Sequence, residues 1–217
     1  MKYFLFLFVL IVAACEAPVD DTPGAPSAET AAVNPDAYLL ESIPGSSFQR
    51  AMRQNPDGTI SEEGLLLDGK RTGTWVSYHP GTDIPKTIVS YVNDQANGLY
   101  VEMNDRGYLE LRASYKNNRL HGPWAKYRFG RPTHEATYKD GELHGVYREY
   151  VMNTGKLQKE ITYKNGVMEG PYRFYNDEGI VTLEYGYGNG EAVLSIPPGP
   201  MSRGESSHHF EKRKGRS

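Results

Sequence analysis

The sequence predicts an all-β protein, an elongated antiparallel meander of tandem β-hairpin repeats, and three observations predict it. A glycine returns at positions 73, 98, 122, 145 and 170, giving steps of 25, 24, 23 and 25 by subtraction. Each of these glycines is followed two residues later by an aromatic side chain: Trp75, Tyr100, Trp124, Tyr147 and Tyr172. Between them lie segments that alternate apolar and polar residues, such as Leu109-Glu-Leu111-Arg-Ala113-Ser-Tyr115, the period of a strand with one face covered. Self-similarity at a fixed step is the signature of a repeat architecture. The 23 glycines and 16 tyrosines of this 217-residue chain fit many short strands joined by tight turns.

The first element, residues 1–14, reads as an export signal. Lys2 supplies a positive start, and Tyr3 to Val12 form an apolar run too short to span a bilayer. The run ends in Val12-Ala13-Ala14-Cys15. Small residues directly before a cysteine resemble the bacterial lipobox, which implies cleavage before Cys15 and acylation of its thiol. Cys15 is the only cysteine in the chain, so no intramolecular disulfide can form. The resemblance implies attachment to a membrane of the bacterial cell envelope through a lipid anchor. Glu16, where aspartate often retains such proteins at the inner membrane, points to the outer membrane.

Residues 15–47 form the next element, a lipidated tether. From residue 16 onward it holds six acidic residues (Glu16, Asp20, Asp21, Glu29, Asp36, Glu41), five prolines and no basic residue. Such a composition buries too little apolar surface to offset the entropy of ordering, so an extended spacer is expected. Tyr38-Leu39-Leu40 is its one candidate docking point.

Residues 48–190 hold the repeats, about five with a leading half-repeat at residues 53–67. Asp140-Gly141 and Asn165-Gly166 are the pairs favoured where both central turn residues take positive φ. One hairpin per repeat gives about eleven strands across residues 53–190 on the estimate of two per unit. Trp75, Tyr100, Trp124, Tyr147 and Tyr172 should stack as one aromatic row. Tyr78, Met103, Tyr127, Tyr150 and Tyr175 should form a second row on the opposite face, since three residues separate the two.

The unit Tyr-x-Asn/Asp-Gly-x-x-x-Gly-x-Trp/Tyr-x-x-Tyr resembles the MORN repeat. More closely, it is similar to the variant in bacterial proteins of the YwqK type, often labelled antitoxin components. The resemblance implies an interaction scaffold. It departs from the pattern at Leu67 for the opening tyrosine of the first copy, at Met103, and at Asn118 for a turn glycine, where looser packing is expected. An export signal would separate the protein from any cytoplasmic toxin.

Candidate chemistry is sparse. No nucleophile elbow, Walker loop, zincin helix or paired CxxC is present. His121 and His144 share the position before the recurring glycine, where Thr72, Asn97 and Glu169 stand in other copies. Side chains one hairpin apart lie about 9.5 Å apart, too far for easy shared coordination, so no metal and no cofactor is expected. Residues 191–217 read as a flexible basic tail. From 201 onward five basic residues (Arg203, Lys212, Arg213, Lys214, Arg216) face two acidic ones. With a net charge of −3 and export from the cytoplasm, nucleic acid is not an expected partner. The expected function is a non-catalytic interaction scaffold that binds a protein or polymer, with Tyr78, Tyr127, Tyr150 and Tyr175 as contact residues. A purely structural spacer and a hydrolase of cell-wall carbohydrate are the alternatives.

Overall fold

The computed structural model describes residues 34–196. Cys15 with the export signal, most of the acidic tether and the basic segment from residue 201 lie outside the described residues. A short 3-10 turn, Pro35–Ala37, leads into β1 (Leu39–Ser42), β2 (Phe48–Gln54), β3 (Ile60–Leu67), β4 (Lys70–Tyr78) and β5 (Pro85–Val92). There follow β6 (Gln95–Met103), β7 (Leu109–Lys116), β8 (Arg119–Arg128), β9 (Arg131–Lys139) and β10 (Glu142–Leu143). The series closes with β11 (Gly145–Tyr150), β12 (Leu157–Lys164), β13 (Val167–Tyr175), β14 (Val181–Gly188) and β15 (Glu191–Ile196). All belong to one open antiparallel sheet in chain order; β10 pairs with β9, and β11 continues from it after a break at His144.

The sheet exceeds the expected bounds at both ends. Residues of the proline-rich stretch form β1, with Leu39 opposite Met52. At the other end β15 pairs with β14 beyond residue 190. Tyr38 sets its ring edge-on to Trp75 at 5.8 Å and donates its hydroxyl to Glu62 at 2.7 Å, so the candidate docking point closes one end of the aromatic face.

Turn chemistry sets the hairpins. Asp68-Gly69, Asn93-Asp94, Asn117-Asn118, Asp140-Gly141, Asn165-Gly166 and Asn189-Gly190 all take positive φ at both residues, the two-residue turn whose twist matches the flanking strands. Asn118 therefore replaces glycine without loosening the turn: its φ is 63°, and its Oδ1 accepts the Ala96 N–H at 2.6 Å.

The recurring glycine also has a physical reason. Between Ala113–Trp124 and Tyr115–Leu120 the register shifts, so that residues 121–123 bulge opposite Ser114. Gly98, in the same bulge one hairpin earlier, has φ 112°, and a Cβ on it would lie 3.1 Å from that of Ser90. Each such glycine pairs with the next hairpin's tyrosine, as Gly98 does with Tyr115 and Gly122 with Tyr138. Counting seven residues back from Gly73 reaches Leu66 rather than Leu67 for the missing tyrosine of the first copy. Leu66 is 1% exposed, so that hairpin is tightly packed, against the expectation of looseness.

One face of this single sheet carries nearly all the core. Across it, large and small side chains alternate: Trp75, Val89, Tyr100, Ala113, Trp124 and Ala136 pair in succession. Rings from one strand cover the small residues of the next, and neighbouring hairpins meet edge to face, as Tyr147 and Tyr163 do at 6.3 Å. Every strand packs chiefly on its neighbours in the chain, so stability is close to a sum over hairpins and their interfaces.

Candidate functional site: the polar face around Tyr127

The opposite face is built differently. Its central ladder runs Glu63, Val76, Ile88, Val101, Arg112, Ala125, Glu135, Arg148, Glu160, Arg173, Glu184. After an aliphatic stretch, charges alternate in sign along its second half. Arg148 lies 3.0 Å from Glu160, and Arg173 bridges Glu160 at 3.4 Å and Glu184 at 2.7 Å. Opposite charges on directly paired strands support the sheet modestly, by about 0.2–1 kcal/mol a pair.

Tyr78, Tyr127, Tyr150 and Tyr175 all fall on this face with the ladder, opposite the buried aromatic row, as their spacing predicts. They are half-buried rather than free-standing. Tyr78 donates to Glu63 at 2.8 Å and Tyr150 to Glu135 at 2.6 Å. Burial, reinforced by the Glu135 bond, pushes the Tyr150 hydroxyl up to about 12. Burial and then the Glu160 charge also raise Tyr175. Tyr127 differs, having no hydrogen-bond partner among the described residues. It stands between two hollows. One, of about 250 Å³, is floored by Pro123, Ala125 and Val146 and flanked by Arg112, Glu135 and Arg148. The other, of about 300 Å³, lies toward the hairpin tips beside Tyr108 and Phe129.

Phe129 is the least expected residue of the site. It is the first residue of a Phe129-Gly130 turn, with φ 51°, where a bulky side chain is rare. The residue is 81% exposed, and the Arg128 guanidinium lies 5.4 Å from its ring centroid. Tyr108, at the neighbouring tip, is 56% exposed. Sequence reasoning missed both tips, although the pair Phe-Gly where Asn-Gly is preferred was a legible signal. Phe129→Asn should raise stability by about 1 kcal/mol, because asparagine tolerates the left-handed conformation. Urea unfolding checks this; an unchanged or lower stability would mean that ring contacts outweigh the strain.

The two paired histidines prove to be latches between hairpins. His121 Nδ1 lies 3.2 Å from Asp140 Oδ1, and His144 Nδ1 lies 3.1 Å from Asn165 Oδ1. Asn97 and Glu169, in the same slot, reach Asn117 and Asn189. These four slots thus hold the next hairpin's turn, which explains why polarity recurs there. Among the described residues no group of three or more His, Cys, Asp and Glu side chains is placed to hold a metal ion.

No protein-family model matches this chain, and no curated protein does. Among solved structures, 62% of the chain is similar to a point mutant of S. aureus TarM in complex with fondaparinux, alpha-GlcNAc-glycerol and UDP. That match has 12% identity and a TM-score of 0.28 and covers 21% of the TarM chain. A second TarM crystal structure gives 11% identity and a TM-score of 0.26, over 61% of this chain and 22% of that one. The chain therefore spans about a fifth of the length of TarM, and a likeness at this TM-score bears on no functional question.

Proposed function

We propose that this chain is a lipid-anchored protein of the bacterial cell envelope, held at the outer membrane through Cys15, and that it works without catalysis. In this reading it is a MORN-variant repeat protein of the YwqK type whose polar face holds a protein or polymer partner. The observation that supports it most is the tyrosine row at one-hairpin pitch, with the unpartnered Tyr127 set between two hollows. Aromatic side chains on a rigid sheet offer amphipathic contact area that costs little entropy to immobilise. The fixed ion pairs beside them hold that surface in one shape.

The test replaces Tyr127 and Tyr150 with serine in the full chain and measures capture of crosslinked partners from solubilised envelope. Capture should fall at least tenfold while circular dichroism stays that of an intact sheet. Undiminished capture would remove this row as the contact surface. In the same cells a fatty-acid probe should label the wild type and not Cys15→Ser; equal labelling of both would remove the anchor.

A further inference from the structure

The ladder of the polar face contains one guanidinium without a carboxylate. Arg148 and Arg173 each contact a glutamate on a paired strand. Arg112 instead lies between Val101 and Ala125 and has neither an ion pair nor a hydrogen bond among the described residues. Ala125, truncated at its Cβ, opens the 250 Å³ hollow beside it. Across that hollow stands Glu135, two strands from Arg112 and so about 9.5 Å away by backbone spacing.

The lining is chemically mixed in a defined order. At one side Arg112 offers a planar fork of donors suited to a carboxylate. Glu135 and Thr137 offer acceptors on the other, since one Glu135 oxygen already takes the Tyr150 hydroxyl. Between them the floor of Pro123, Ala125 and Val146 is apolar, and the Tyr127 ring bounds one end. The volume falls just below the range of about 300–1,000 Å³ usual for a whole small-molecule ligand, which suits one ring of a larger molecule. An acidic peptide side chain would use Arg112 alone and leave the acceptors facing the floor unused. A neutral sugar would use the acceptors and leave Arg112 unpaired.

We infer that this hollow is a binding site for one acidic sugar residue. Its carboxylate pairs with Arg112, its hydroxyls donate to Glu135 and Thr137, and its C–H face rests on Pro123, Ala125 and Val146. The inference rests on the scaffold reading and narrows it: the polymer held by the polar face is a glycan bearing carboxylates. A single residue binds weakly, and repetition along a polymer gives the useful affinity.

The test titrates glucuronate, glucose and glutarate against the full chain in detergent, followed by NMR shifts of backbone amides around Ala125. Glucuronate should saturate at least tenfold more tightly than glucose or glutarate. Arg112→Gln should bring glucuronate to the glucose level without moving the melting temperature, because Arg112 is exposed. Glutarate binding as tightly as glucuronate would overturn the sugar class in favour of a bare carboxylate site. Glucuronate binding that Arg112→Gln leaves unchanged, or no saturable glucuronate binding, would overturn the site. Those failures leave partner capture through the tyrosine row standing. Retained capture by the Tyr127/Tyr150 variant would instead remove the tyrosine row as the contact surface and leave glucuronate selectivity measurable.

Discussion

Replacing Trp75 with alanine should lower stability by about 3–5 kcal/mol, the usual cost of emptying a buried aromatic site. Trp75 is 2% exposed, and its Nε1 donates to the Leu65 carbonyl at 3.0 Å. It lies flat over Gly64: a Cβ built there would come 2.3 Å from the indole, at ring atoms that cannot swing aside. Gly64→Ala should therefore cost about 1–3 kcal/mol, the range for overpacking a core. The two losses share one cause, so they should not add. With the indole gone, the three atoms that an alanine Cβ at 64 would strike are gone with it, and the double variant should be at least about 1 kcal/mol more stable than the sum of the singles implies. Urea unfolding of the four proteins measures this, and strict additivity would show that Trp75 does not rest on Gly64.

Alkali should unfold this protein well before its backbone is at risk. Burial pushes the Tyr115 hydroxyl up to about 12, and burial followed by the nearby Glu102 and Glu149 charges raises Tyr100 and Tyr147 further. In the folded state these groups hold their protons above the ordinary value of 10.0, while in the unfolded chain they release them. Stability is therefore fully present below about pH 10 and falls as pH rises above it. The slope is about 1.4 kcal/mol per pH unit per tyrosine, so about 4 for the three together. Urea midpoints at pH 9, 10 and 11, read beside tyrosinate absorbance, check the slope, and Tyr147→Phe should reduce it by about a third. A flat profile to pH 11 would mean these hydroxyls ionise in the folded protein.

Much of this fold was legible because hairpin repeats write their geometry locally. The glycine step, the Asp-Gly and Asn-Gly turns and the alternation around Ala113 each depend on residues a few positions apart. Parity then put Tyr127 and Trp124 on opposite faces, since no insertion falls between them on β8. The ends were harder: Leu39–Ser42 sits among prolines and acids, and its strand exists because β2 offers a partner edge. The ion ladder was not legible at all. Arg148 and Glu160 are twelve residues apart and Arg173 and Glu184 eleven, and bulges on either side shift the register. Arg112 looks ordinary in sequence, and only its neighbours Val101 and Ala125 distinguish it. The histidine slot is polar in all five copies, but its reach to the next turn required the three-dimensional pairing.

Because each hairpin leans almost wholly on the one before and the one after, the molecule's span is a quantity that genetic copying can edit. Duplicating one 23- to 25-residue unit in frame inserts two strands, about 9.5 Å of sheet, and every interface it creates is of a kind already present. Tyr78, Tyr127, Tyr150 and Tyr175 would gain another member at the same pitch, as the graduations of a measuring rod continue when the rod is lengthened. Reach and the number of tyrosines on the polar face are thereby coupled: a longer array carries more of them in proportion, with no redesign of the core.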